Sequence, residues 1–275
     1  MKIIGLIIVT FCGALLLYAT QDFPAWGDPQ SPASTHLSPH FIEKALHETD
    51  VPNLVTAVLA DYRSYDTMFE TAVVFCAGLA CIFLLRSFVS RRRGWEYRHI
   101  PTGIILHVKD PNKLPKESKE FALIDTMWVP HDLIIKTVSR IIIPFIMLFA
   151  LYVVAHGDFS PGGGFQGGVI FGAAMILMAI AFDLRTAVEL MGEKTLGFLI
   201  ALGIFIYAGI GVLCMILGGN FLDYAQLAKI LPVDPGHVRA LGMIGIEIGV
   251  GVAVMAVMVI IYLNIASEGR YNQGL

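Results

Sequence analysis

Three stretches of this 275-residue chain carry residue types able to do chemistry. The first is HGDFSPGGGFQGG, residues 156–168, with one His, one Asp and six glycines between long apolar runs. The second is DYRSYDTMFE, residues 61–70, where Asp66 and Glu70 fall four apart and Arg63 and Asp66 three apart on one helical face. Two carboxylates so placed repel unless a cation or a proton intervenes, and Arg63 could pair with either. The third is a single acid, Glu247, within LGMIGIEIGVGVAVM. An ionisable group inside an apolar span costs on the order of 3 kcal/mol on insertion scales, so it normally faces water or a partner. Gly242, Gly245 and Gly249 flank it and would let another helix approach.

Each stretch also has a plainer reading. Glycine permits positive φ and close backbone approach, and Pro161 sets a turn, so residues 156–168 could be a tight packed reversal. Alternatively the turn dips into the membrane, with His156 and Asp158 lining a hydrated pocket, which requires protein or water to cover the irregular backbone. Thr67-x-x-Glu70 fits a helix capping box, and an acid there also suits the helix dipole. Glu247 could be a neutral acid bonded to a neighbouring hydroxyl or amide. A nucleotide site is excluded at the glycines. Val169 and Ile170 follow them where a phosphate loop needs Lys-Ser/Thr, and no strand precedes them.

The elements that position these residues are apolar helices. The chain is 56% hydrophobic and 15% charged, against roughly 25% charged for a soluble domain. Its mean hydropathy is +0.71. Apolar runs near 3–20, 67–89, 133–155, 165–182, 195–217 and 240–265 are each about 20 residues long, the length of a transmembrane helix. The third reaches full length if Lys136 and Arg140 snorkel to the interface. The fold expected is therefore an all-α integral membrane protein with about six spans. Residues 1–20 resemble a signal peptide only loosely, since the run is long and Tyr18 spoils a small-x-small cleavage site, so a retained first helix is expected. Glu247, seven residues past Ala240, would then lie roughly 10 Å inside the last span.

Lys and Arg set the orientation. Arg86 to Arg140 holds eleven of them, and Lys2, Arg185, Lys194 and Arg270 bring one side to fifteen. The other side has Lys44, Arg63, Lys229 and Arg239. Both termini are expected in the cytoplasm and loops 21–66, 156–164 and 218–239 outside. A net charge of −3 suggests no nucleic-acid partner. Cys12, Cys76, Cys81 and Cys214 all sit in apolar spans without metal spacing, as inert packed thiols do. The organisation expected is a two-helix module (1–90) with a long external loop, a polar cytoplasmic linker (91–131) and a four-helix module (132–275).

Residues 132–275 resemble the B subunit of Mrp-type multisubunit Na+/H+ antiporters, the MnhB family. The resemblance rests on the P-G-G-G-F-x-G-G core at 161–168, with Pro161, Gly162, Gly163, Gly164, Gly167 and Gly168, and on Ile246-Glu247-Ile248-Gly249-Val250, where the family has F-[DE]-x-G-V. Residues 1–90 resemble the carboxy-terminal part of the large Mrp A subunit, which in membrane-bound hydrogenases is a separate E-type chain. DFPAWGDPQSP (22–32) and PNLVTAVLADYRSYDTMFE (52–70) carry this second resemblance, and Ser64 and Phe69 stand where that family often has Gly. The resemblances imply a fusion of two neighbouring subunits in the prokaryotic cytoplasmic membrane, embedded in lipid and partnered by other Mrp-type subunits. They imply an accessory subunit, non-catalytic alone and without cofactor, shaping a sodium or proton path. Glu70, Asp66, Arg63, Glu247, His156 and Asp158 are the candidates for that path, with Na+ possible at Glu70 and Glu247. Two alternatives stand beside it: the same module coupled to a redox arm, and a purely structural scaffold.

Overall fold

The computed structural model describes residues 2–88, 95–102, 104–108, 120–123, 133–182 and 184–267. Its helices are α1 (Lys2–Ala19), α2 (Ser38–Thr49), α3 (Ser64–Phe88), α4 (Leu133–Ala155), α5 (Gly164–Ala181), α6 (Leu184–Leu190), α7 (Glu193–Ile216) and α8 (Pro235–Ala266). Six of these, α1, α3, α4, α5, α7 and α8, are long and apolar enough to cross a membrane. The chain is a multi-pass, almost entirely helical membrane protein.

It divides into two compact units, Met1–Ala45 and Leu46–Leu275. In the first, α1 presents apolar side chains such as Ile4, Phe11 and Leu16 on its surface. Lipid solvates such a helix as well as protein does. Beyond it, the loop after α1 is more ordered than its Pro and Ser content suggests. A π-helical turn, Ala33–Leu37, runs into α2.

In the second unit α8 is the central helix, and α3, α5 and α7 pack on it while α4 packs on α5. Val250, Val254, Val257 and Leu263 of α8 are almost fully buried. Small residues let the backbones meet. A Cβ on Gly203 of α7 would stand 2.4 Å from the Gly249 carbonyl, and one on Gly168 of α5 would stand 2.6 Å from that of Gly251. Close packing of this kind replaces the hydrophobic effect as the main attraction between helices in lipid. Outward residues of α4, such as Ile134, Phe145 and Leu148, remain exposed.

Three short strands, β1 (Trp95–His99), β2 (Ile105–Val108) and β3 (Phe121–Leu123), form an antiparallel sheet in the order β2-β1-β3. They lie where a plain linker was expected. The Trp-Glu-Tyr-Arg-His alternation has strand periodicity, and Tyr97, facing Leu106 and Leu123, is buried. The basic run 91–93, Lys113 and the prolines at 111, 115 and 130 lie outside the described residues.

Candidate functional site

Before α3 the chain is irregular. Leu54–Thr56 make one α-helical turn, Ala57–Tyr62 continue as a π-helix, and the helix breaks at Arg63. Three carbonyls around the break are each taken by a side-chain hydroxyl. Thr67 donates to Leu59 (2.8 Å), Tyr224 to Ala60 (3.0 Å) and Tyr207 to Ser64 (2.6 Å). Burial raises the Tyr224 hydroxyl above its ordinary value, so it stays a donor. Such pairing is what irregular backbone requires where water is scarce.

This geometry corrects the capping reading. The α3 helix begins at Ser64, so Thr67 and Glu70 lie inside it, and the Thr67 hydroxyl serves Leu59 instead of a helix cap. Arg63 pairs with Asp66 at 2.5 Å, both side chains exposed. Glu70, one turn further on, is exposed.

The same segment is tied to α8. Arg239 donates from Nε and a terminal nitrogen to the two Asp61 oxygens, at 2.7 and 2.6 Å, and from its other terminal nitrogen to the Glu48 carbonyl at 3.3 Å. The Asp61 side chain is only 8% exposed. The Arg239 guanidinium also lies over the Tyr62 ring, whose hydroxyl donates to the Glu48 carboxylate. Burial, then Glu48, pushes that hydroxyl well above its usual range. The His237 ring and the Asp50 carboxylate meet at 3.1 Å on the surface.

The glycine turn has a specific use in this packing. It wraps a buried acid. A Cβ on Gly157 would come within 2.9 Å of Glu247 Oε2, one on Gly163 within 2.9 Å of Oε1, and one on Gly164 within 1.9 Å of the Glu247 carbonyl. Gly163 also has φ +142°, a conformation open to glycine alone in practice. Gly162 abuts the Val153 carbonyl, Gly167 abuts Val154, and Gly168 abuts Gly251. Pro161 is exposed at the tip. Glu247 lies twelve residues past Pro235, about 18 Å along α8.

Asn53 and Thr56 clamp the turn. The Asn53 amide donates to the carbonyls of Gly157 and Ser160, both at 2.8 Å, and its backbone N–H donates to the Asp158 carbonyl at 2.9 Å. The Thr56 hydroxyl donates to the Gly157 carbonyl at 2.7 Å. Asn53 was legible only as part of a motif. Nothing in its spacing points to a partner more than a hundred residues away.

A cavity of about 350 Å³ opens beside the turn, and Thr56, Glu70, Val73, Gly164, Gln166 and Glu247 are among its lining residues. The acids of α3 and α8 thus face one space. Glu247 is 9% exposed and Asp158 6%, and Glu247 Oε2 and Asp158 Oδ1 accept no hydrogen bond. Burial raises the Asp158 carboxyl above its ordinary value. His156 departs from the pocket expectation. It is exposed, and its ring stacks on Tyr152 at 4.5 Å, away from the cavity lining. Asp158, though buried, also lies outside that lining, as do Asp66 and Arg63. Among the described residues no group of three His, Cys, Asp or Glu could hold a metal ion.

The comparisons with known proteins match two separate stretches of the chain. Residues 134–260 match a domain related to the MnhB subunit of the Na+/H+ antiporter, and residues 7–97 match the MbhE family, the E subunit of MBH. A Staphylococcus epidermidis protein named as an antiporter subunit, mnhB2, is 33% identical over 142 residues, covering 51% of this chain and 97% of the relative. The chain belongs to the MnhB family. A Staphylococcus aureus protein of the same name is 30% identical over 140 residues, again covering 51% and 97%. The MnhB-related part holds the glycine turn and Glu247, and the MbhE-like part holds Asn53, Thr56, Asp61 and Glu70.

Two solved structures share the fold. One is a chain of the archaeal membrane-bound sulfane sulfur reductase, with a TM-score of 0.60 and 22% identity, covering 96% of this chain and 97% of that one. The other is a chain of the Mrp complex from Dietzia sp., with a TM-score of 0.57 and 22% identity, covering 97% of this chain and 25% of that one.

Proposed function

We propose that this MnhB-family chain is an accessory membrane subunit of an Mrp-type Na+/H+ antiporter module, non-catalytic alone, and that its cavity is part of the cation or proton route. The observation that carries the reading is the shared cavity, which brings Glu70 of the MbhE-like part and Glu247 of the MnhB-related part onto one wall. Ionisable groups kept at membrane depth cost free energy and mark ion paths. The names of the curated relatives agree with it. The partners are the other subunits of the module, and the setting is a prokaryotic cytoplasmic membrane.

Orientation follows from the fifteen-to-four distribution of Lys and Arg, with both termini cytoplasmic. A cysteine placed at the exposed Asn220 should react with an impermeant reagent from outside only. Reaction from the cytoplasmic side alone would reverse the orientation.

The route is tested with Glu70→Gln and Glu247→Gln in the full complex, following Na+-dependent exchange in inverted vesicles while blotting for complete assembly. Exchange should fall close to the subunit-deletion background in both, with the complex intact. Full exchange in both would leave a scaffold. The match to the MbhE family favours a second setting, the same unit within a redox-coupled membrane complex. Mass spectrometry of the gently solubilised complex separates the settings. Iron–sulfur or nickel-site subunits would place it in a redox complex, and antiporter subunits alone would place it in the stand-alone form.

A further inference from the structure

Behind the Glu247 face of the cavity lies a second acid, Asp158. Glu247 Oε2 rests against Gly157, the residue before Asp158, and charge on either acid opposes charge on the other. Both side chains are at least nine-tenths buried, and each has an oxygen with no hydrogen-bond donor. Among the described residues no cationic side chain pairs with either acid. The surrounding elements offer little else. From α3 comes Glu70, itself acidic, and from α5 the neutral Gln166. From α7 comes Tyr207, whose hydroxyl is committed to the Ser64 carbonyl. His156 stacks outward on Tyr152, and Arg239 is held by Asp61. Two ionised carboxylates so placed repel each other with no counter-charge from the protein, so a proton on one of them is favoured.

We propose that Asp158 and Glu247 work as one unit that carries a single exchangeable proton, loaded and unloaded through Glu247 from the cavity. A hydronium ion in the cavity gives its proton to a Glu247 carboxyl oxygen and leaves as water, and the pair changes from two negative charges to one. Release to water reverses the step. A proton fits better than a metal cation. Hard cations gather about six oxygen ligands, and the described residues hold no three-acid group. The clamp from Asn53 and Thr56 fixes the turn that carries Asp158, so it holds the spacing of the pair.

This inference deepens the ion-route reading at Glu247, but its readout is spectroscopic and stands whether or not exchange is measured. The complete complex is reconstituted with [13C]carboxyl-glutamate or [13C]carboxyl-aspartate, and its infrared spectrum is titrated from acid to alkaline pH. The wild type should keep a protonated-carboxyl band near neutral pH that is absent from the Glu247→Gln complex. In Asp158→Asn, the midpoint of the Glu247 band should fall by about 1 pH unit or more, the mark of coupled sites. If Asp158→Asn does not assemble, Asp158 is followed in Glu247→Gln, where its midpoint should fall likewise. Three results overturn the proposal. They are no protonated band near neutral pH in the wild type, an unchanged midpoint in the assembled variants, or a band removed at fixed pH by Na+ but not by K+. The last would make the site a sodium site. Lost exchange with the infrared result intact would instead bear only on the route.

Discussion

At Gly164 a single hydrogen stands where any other residue would place a carbon 1.9 Å from the Glu247 carbonyl. No side-chain rotation relieves that contact, because the neighbour is backbone. Overpacking typically costs 1–3 kcal/mol, and a backbone collision belongs at about 3 kcal/mol or above. Gly164→Ala should therefore abolish assembly, read as loss of the complex on a native gel. Asn53→Ala should act more mildly. It leaves the Ser160 carbonyl without its side-chain donor, while Thr56 still serves the Gly157 carbonyl, at about 2 kcal/mol. The complex should form but melt several degrees lower, and a wild-type melting temperature would show the clamp to be incidental. The sequence made the glycines, Glu70 and Glu247 visible because a membrane chain gives few reasons to keep an acid or a glycine cluster. The partners were hidden. Nothing in one dimension tells that the glycines surround a carboxyl, or that His156 points away while Asp158 is buried.

At the scale of elements, apolar runs gave the helices to within a few residues, since length and hydropathy are set by the bilayer. The largest error was at α8, which begins at Pro235, five residues before the apolar run expected from Ala240. Its polar first turns, with His237 and Arg239, read as loop because hydropathy is blind to a helix end that packs on protein. The π-helical stretch 57–62 was equally hidden, because its carbonyls take hydroxyl donors from α3 and from the loop before α8. Arg239 and Asp61 hold that stretch against α8. Removing one partner of a buried pair strands the other charge and costs about 3 kcal/mol. Asp61→Asn should thus lower the melting temperature of the complex markedly, while Asp61→Asn with Arg239→Gln should recover part of the loss. A double variant no better than the single would show that the pair contributes by packing alone.

For the whole molecule, the MnhB-related stretch and the MbhE-like stretch from Leu46 onward lie in one packed unit, Leu46–Leu275. The clamp and the Asp61–Arg239 pair stitch the parts together, and Thr56 of the clamp lines the cavity. A fused chain fixes the stoichiometry of the two parts and holds Glu70 and Glu247 in register. The central claim is that this cavity conducts. Val73 lines it one turn beyond Glu70 and is exposed to it. In a complex with Cys12, Cys76 and Cys81 changed to Ser, Val73→Cys should support exchange. A bulky impermeant thiol reagent added from the outer face should then stop Na+-dependent exchange while the complex stays assembled. Quantitative modification of Cys at that position with exchange unchanged would contradict the account.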